Sequence, residues 1–111
     1  MEPVSNEELD KMVYDSRTTV FIDKSQAIGK KLQALKIQKV KKGKISYWVI
    51  WFRTESGKIK DESSDRYLAL TLGESKLNSD FIKTIKASDW FSFNETYHKG
   101  LAKAYKFTLI R

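Results

Sequence analysis

Residues 44–53, KISYWVIWFR, decide how this chain is to be read. Ile45, Tyr47, Val49 and Trp51 alternate with Trp48, Ile50 and Phe52. A strand sends successive side chains to opposite faces, so a strand here is apolar on both. Its β-branched and aromatic content favours a strand over a short buried helix. Such a strand is either central and covered on both faces, or it buries one face and displays aromatics on the other. Tyr47 and Trp51 share one face, and Trp48 and Phe52 share the other.

Lysines lead into this strand at Lys30, Lys31, Lys36, Lys39, Lys41, Lys42 and Lys44. Residues 29–60 hold ten Lys or Arg against one acid, Glu55, a balance of +9. Residues 1–28 and 61–80 each balance to −3. A basic segment feeding an aromatic strand is a pattern that serves nucleic-acid binding. Lysines meet phosphates, and whichever of Tyr47, Trp48, Trp51 and Phe52 are exposed stack on unpaired bases. The plainer alternative is that the lysines protect an edge strand from aggregation.

The 111 residues are expected to form a single basic domain, 1–111, with one modest core. A hydrophobic share of 41% and an aromatic share of 13% exclude a disordered chain. A net charge of +7 favours anionic partners, DNA or RNA first. The absence of cysteine excludes disulfides, thiolate metal sites and a cysteine nucleophile. The opening MEPVSNEELD is polar and acidic, unlike a secretory leader, which points to a cytoplasmic protein. The longest apolar run, 47–52, is too short to cross a bilayer, so no membrane partner is expected.

Ser5 and Glu8 have the spacing of a capping box, which predicts a short helix over 6–14. TTVFID, 18–23, reads as a short strand. In 26–36, Ile28, Leu32 and Leu35 form one apolar stripe and predict a second helix, weakened by Gly29. The segment 37–44 reads as a strand turning at Lys42-Gly43, and Glu55-Ser56-Gly57 as a turn into a strand at 58–60. DESSD, 61–65, is a polar loop. RYLALTL, 66–72, fits a strand with its leucines inward, or the start of a helix. Asn78 or Ser79 caps a further helix with Phe81, Ile82 and Ile85 facing the core and Lys83 and Lys86 elsewhere. Two apolar runs then flank His98-Lys99-Gly100, the expected tip of a hairpin. The expected fold class is α+β: about three helices against a largely antiparallel sheet, ending in a helix and a basic, wing-like hairpin.

Residues 77–111, LNSDFIKTIKASDWFSF followed by NETYHKGLAKAYKFTLI and Arg111, resemble the end of winged-helix domains in phage and plasmid replication-initiation proteins. The resemblance rests on Tyr97, Gly100, Lys103, Tyr105 and Lys106. It covers about a third of the chain, and the aromatic strand is not part of a minimal winged helix. It implies duplex DNA contact by a helix near 78–86 and by a wing at 99–106, through Lys83, Lys86, Lys99, Lys103 and Lys106.

No catalytic constellation is visible. His98 is the only histidine, and neither a phosphate-binding loop nor a dinucleotide fingerprint occurs. No catalytic residue, metal or cofactor is assigned, and the chain is expected not to be an enzyme. The leading expectation is a DNA-binding or other nucleic-acid-binding protein of phage or mobile-element type, acting through the lysine-rich segment and the basic hairpin. The alternative is a small protein-interaction module that inhibits a host or defence complex, motivated by the aromatic content. A membrane-surface role through a basic amphipathic helix at 26–36 ranks last.

Overall fold

The computed structural model describes residues 3–97 and 103–111. One six-stranded sheet runs in the order β1-β4-β3-β2-β5-β6. Its strands are β1 (Thr19–Phe21), β2 (Leu32–Lys42), β3 (Ile45–Thr54), β4 (Tyr67–Gly73), β5 (Trp90–Tyr97) and β6 (Lys103–Leu109). Helix α1 (Asn6–Lys11) lies on one face and α2 (Lys76–Thr84) on the other.

The aromatic strand is central and covered on both sides. Trp48, Ile50 and Phe52 join Leu68, Leu70 and Leu72 under α2. Val49 and Trp51 join Leu35, Tyr67 and Ala69 under the N-terminal arm. From Val49 to Phe52 four consecutive side chains are essentially inaccessible. Each contributes roughly 1.5–3 kcal/mol by burial, which makes β3 the thermodynamic centre of the domain.

The N-terminal arm is held on its face by polar contacts as well as by Met12, which is fully buried. Ser5 caps α1 by accepting from the Glu8 N–H. The Lys36 ammonium donates to the Leu9 and Met12 carbonyls at 3.1 and 2.9 Å and lies over the Trp51 ring. The Trp51 indole N–H donates to Thr19 Oγ1 at 3.0 Å, and that hydroxyl donates on to the Val13 carbonyl at 2.7 Å. The Tyr67 hydroxyl donates to the Glu8 carboxylate.

The expected fold class needs correction. Among the described residues there are two α-helices, not about three, and the sheet is mixed because β1 runs parallel to β4. The helix expected over 26–36 does not form. A single 3-10 turn at Lys24–Gln26 gives way to Gly29 at φ +76°, in the left-handed region that ends a right-handed helix. From Leu32 the chain pairs with β3 on one side and β5 on the other. Leu32 and Ala34 then point to one core and Leu35, by alternation, to the other, while a bulge between Ala34 and Lys36 keeps Lys36 on the Leu35 side, over Trp51, and returns Ile37 to the first. An apolar spacing that fits a helix stripe thus fits a bulged strand equally, and pairing on both edges decides between them.

The expected C-terminal helix and hairpin form as α2, β5 and β6, and the hairpin is built into the main sheet. β5 is a member of the main sheet, with Leu32 opposite Phe91. The rings of Phe81, Phe91, Phe93 and Phe107 pack at centroid distances of 4.9–6.3 Å and join α2 to both hairpin strands. The expected tip at His98-Lys99-Gly100 lies outside the described residues. Residues 58–60 contribute only an isolated bridge, Lys60 to Tyr67, in place of the expected strand.

Two pairings end early, and this positions the site. β5 meets β2 only at Leu32 and Gln33, and the turn at Ser88 and Asp89 takes the Ala34 backbone. β1 accompanies β4 only as far as Ala69. The far half of β2 is therefore an edge among the described residues, while β4 stays beside β3 as far as Gly73 opposite Tyr47, so that only the hairpin end, 41–46, runs past both neighbours.

Candidate nucleic-acid interface

β2 and β3 are joined by the two-residue turn Gly43-Lys44, with Lys42 paired to Ile45. Gly43 takes φ +63° at the first turn position, as a tight hairpin of the twisted type requires. Lys41, Lys42, Lys44 and Ile45 are all exposed there. Side chains alternate, so Lys39 and Lys41 project on the α2 face while Lys42, Ile45 and Tyr47 project on the other. The tip is thus cationic on both faces.

On the face shared with the N-terminal arm, an aromatic group adjoins this tip. The Tyr14 ring lies 5.7 Å from that of Phe21 and 6.0 Å from that of Tyr47, centroid to centroid. The two tyrosine hydroxyls hydrogen-bond to each other. That bond, with smaller contributions from burial and from the neighbouring charge, pushes the Tyr47 phenol up to about 12, so it stays neutral at ordinary pH. Tyr14 and Phe21 are each 39% exposed and Ile45 67%. With Lys44, Tyr47 and Gly73 they line a surface hollow of about 590 Å³. Thr71, Ser46 and Glu74 complete the rim.

The expected site residues divide into several groups. Lys39, Lys41, Lys42 and Lys44 come together on the hairpin. Of these, Lys39 already lies 3.5 Å from Glu74 and over the Trp48 ring. Trp48 is only 9% exposed and belongs to the core under α2, so it offers no open face for a base. Lys36 spends its ammonium on the N-terminal arm. Lys30 and Lys31 are exposed at the other end of β2, beside Thr54, Glu55 and Lys58, roughly 30 Å from the tip at strand rise. Lys83 on α2 and Lys86 after it are exposed, with Lys86 next to the turn that bonds Ala34. Lys106 is exposed on β6, the opposite edge of the sheet. Lys99 and the side chain of Lys103 lie outside the described residues.

Tyr14 and Phe21 were not among the expected residues. For Phe21 a signal existed: in TVFI, Val20 and Ile22 pack inward, so alternation turns Phe21 outward. Tyr14 reaches Tyr47 across 33 positions of sequence through the fold of the arm, and no local pattern carries that contact.

No helix among the described residues is long and apolar enough to cross a membrane. Comparison of the chain with protein-family models, with curated proteins and with solved structures finds no match.

Proposed function

We propose that this protein binds nucleic acid through the end of its β2–β3 hairpin. The observation that carries the reading is the exposure of Lys41, Lys42 and Lys44 on a hairpin end that extends beyond its neighbouring strands. No ion pair is formed by these three among the described residues. Lysines that only protected an edge strand would suffice along β2; here they continue around the turn and onto both faces. Three ammonium groups at adjacent positions match the closely spaced charges of a polynucleotide backbone, and their contribution is affinity with little sequence choice.

The test is binding of labelled oligonucleotides across a salt series, for the native chain and for Lys41→Glu/Lys42→Glu/Lys44→Glu. The native chain is expected to bind, with log affinity falling linearly in log salt. The variant is expected to lose most of that affinity, and the three lost contacts to reduce the slope by about 2 to 3. Its thermal melting should be unchanged, since none of the three side chains is buried. Equal affinity and equal slope for both proteins would overturn the reading.

A further inference from the structure

We infer that the polynucleotide this hairpin takes is single-stranded, with unpaired bases laid on the Tyr14, Phe21 and Tyr47 rings. The inference rests on the nucleic-acid reading above and adds the class of strand. Three rings from three separate elements converge on one face of the sheet, at 5.7 and 6.0 Å, immediately beside the cationic turn. Tyr14 and Phe21 show apolar surface to water where a small domain gains nothing by it, and Tyr47 is half-buried against the core beside them. Phe21 faces outward from an edge strand, and Ile45, more exposed still, extends the patch to Lys44.

Charge selects the occupant. Lys44 is on the rim, and Lys42, cross-strand partner of Ile45, projects on the same face. The acid on the rim, Glu74, is 3.5 Å from the Lys39 ammonium and leaves carboxylate oxygen able to accept from the amino group of a base. Aromatic faces interleaved with ammonium groups are the arrangement that binds bases by stacking and their backbone by charge. A duplex keeps its base faces stacked on one another and would meet these rings with sugar and phosphate, leaving them with no partner. A volume of 590 Å³ lies within the roughly 300–1,000 Å³ of small-ligand sites and so accommodates splayed bases.

The experiment compares labelled oligo-dT and oligo-rU with a duplex of equal length across a salt series, using the native chain and Phe21→Leu. Leucine keeps apolar bulk at position 21 and removes the ring. Native protein is expected to bind single strands at least tenfold more tightly than duplex. Phe21→Leu should weaken single-strand binding by about 5- to 100-fold with the salt slope unchanged, as loss of a stacking partner requires. The two single strands separate a site indifferent to sugar from one that uses the 2′-hydroxyl. Duplex bound as tightly as single strands, together with full affinity in Phe21→Leu, overturns the inference and leaves the hairpin's phosphate contacts standing. Absence of binding to all three ligands at low salt overturns the nucleic-acid reading itself, and this inference with it.

Discussion

Lys36 separates a structural lysine from the binding lysines, and its replacement by methionine makes the separation measurable. The ammonium donates to two carbonyls at the end of α1, and its stem crosses the buried Trp51 ring. Methionine retains the stem and the packing but not the donor. A hydrogen bond from a charged group contributes about 1.5–3 kcal/mol. The Leu9 carbonyl retains the Met12 N–H as a second donor, so the main loss is at the Met12 carbonyl. The half-buried position places the total near the middle of that range, about 2 kcal/mol, including a few tenths from the ring contact. At about 2.1 cal/mol/K of unfolding entropy per residue, a chain of 111 residues loses about 4 °C in Tm for each kcal/mol. Calorimetry of Lys36→Met should therefore show Tm lowered by roughly 8–10 °C, with oligonucleotide affinity at a temperature where it remains folded within twofold of native. Unchanged Tm with an affinity loss equal to that of Lys42→Met would refute the reasoning, because Lys36 would then be facing the ligand.

Three further outcomes follow from the same contacts. Thr19→Val removes the acceptor of the buried Trp51 indole N–H without changing shape, and should cost about 1–3 kcal/mol in urea unfolding; a loss below about half a kcal/mol would show the indole bonded elsewhere. Gly43→Ala forces a side chain into the left-handed region at the hairpin turn, and should cost about 1–2 kcal/mol, while Lys42→Ala one position earlier, at the end of the strand, costs little. Burial, helped by the Glu8 carboxylate, pushes the Tyr67 phenol up to about 12. A raised folded value means that this stabilisation is complete below the ordinary value of 10.0 and disappears as pH rises from there through about 12. A phenolate absorbance titration should show a late component that Tyr67→Phe diminishes, and an unchanged late component would contradict the assignment.

How far the sequence could be read follows from which contacts are local. β3 announces itself because its two apolar faces lie in ten consecutive residues, and the structure covers both. The turn at Gly43 and the inward alternation of Phe91 and Phe93 with Phe107 are similarly local. β2 was misread at its start because Ile28, Leu32 and Leu35 satisfy a helical period, while the bulge after Ala34 and the pairing with β5 are tertiary facts. The cationic end of the site was legible as a run of lysines, but the role of Lys36 was not. Its partners at Leu9 and Met12 lie 27 and 24 positions away. The aromatic end was half legible, through the outward parity of Phe21. Trp48 carried the stronger compositional signal yet is buried, since α2 closes the face on which it lies.

One end of the sheet, where a cationic turn adjoins three rings, is the proposed seat of a single polynucleotide strand. Backbone amide shifts of the labelled protein, titrated with oligo-dT at low salt, test this most directly. The largest changes are expected on residues 41–47, Tyr14 and Phe21, with the amides of Lys30, Lys31 and Lys106 unmoved. Changes confined to α2 and β6, or none at saturating ligand, would contradict it.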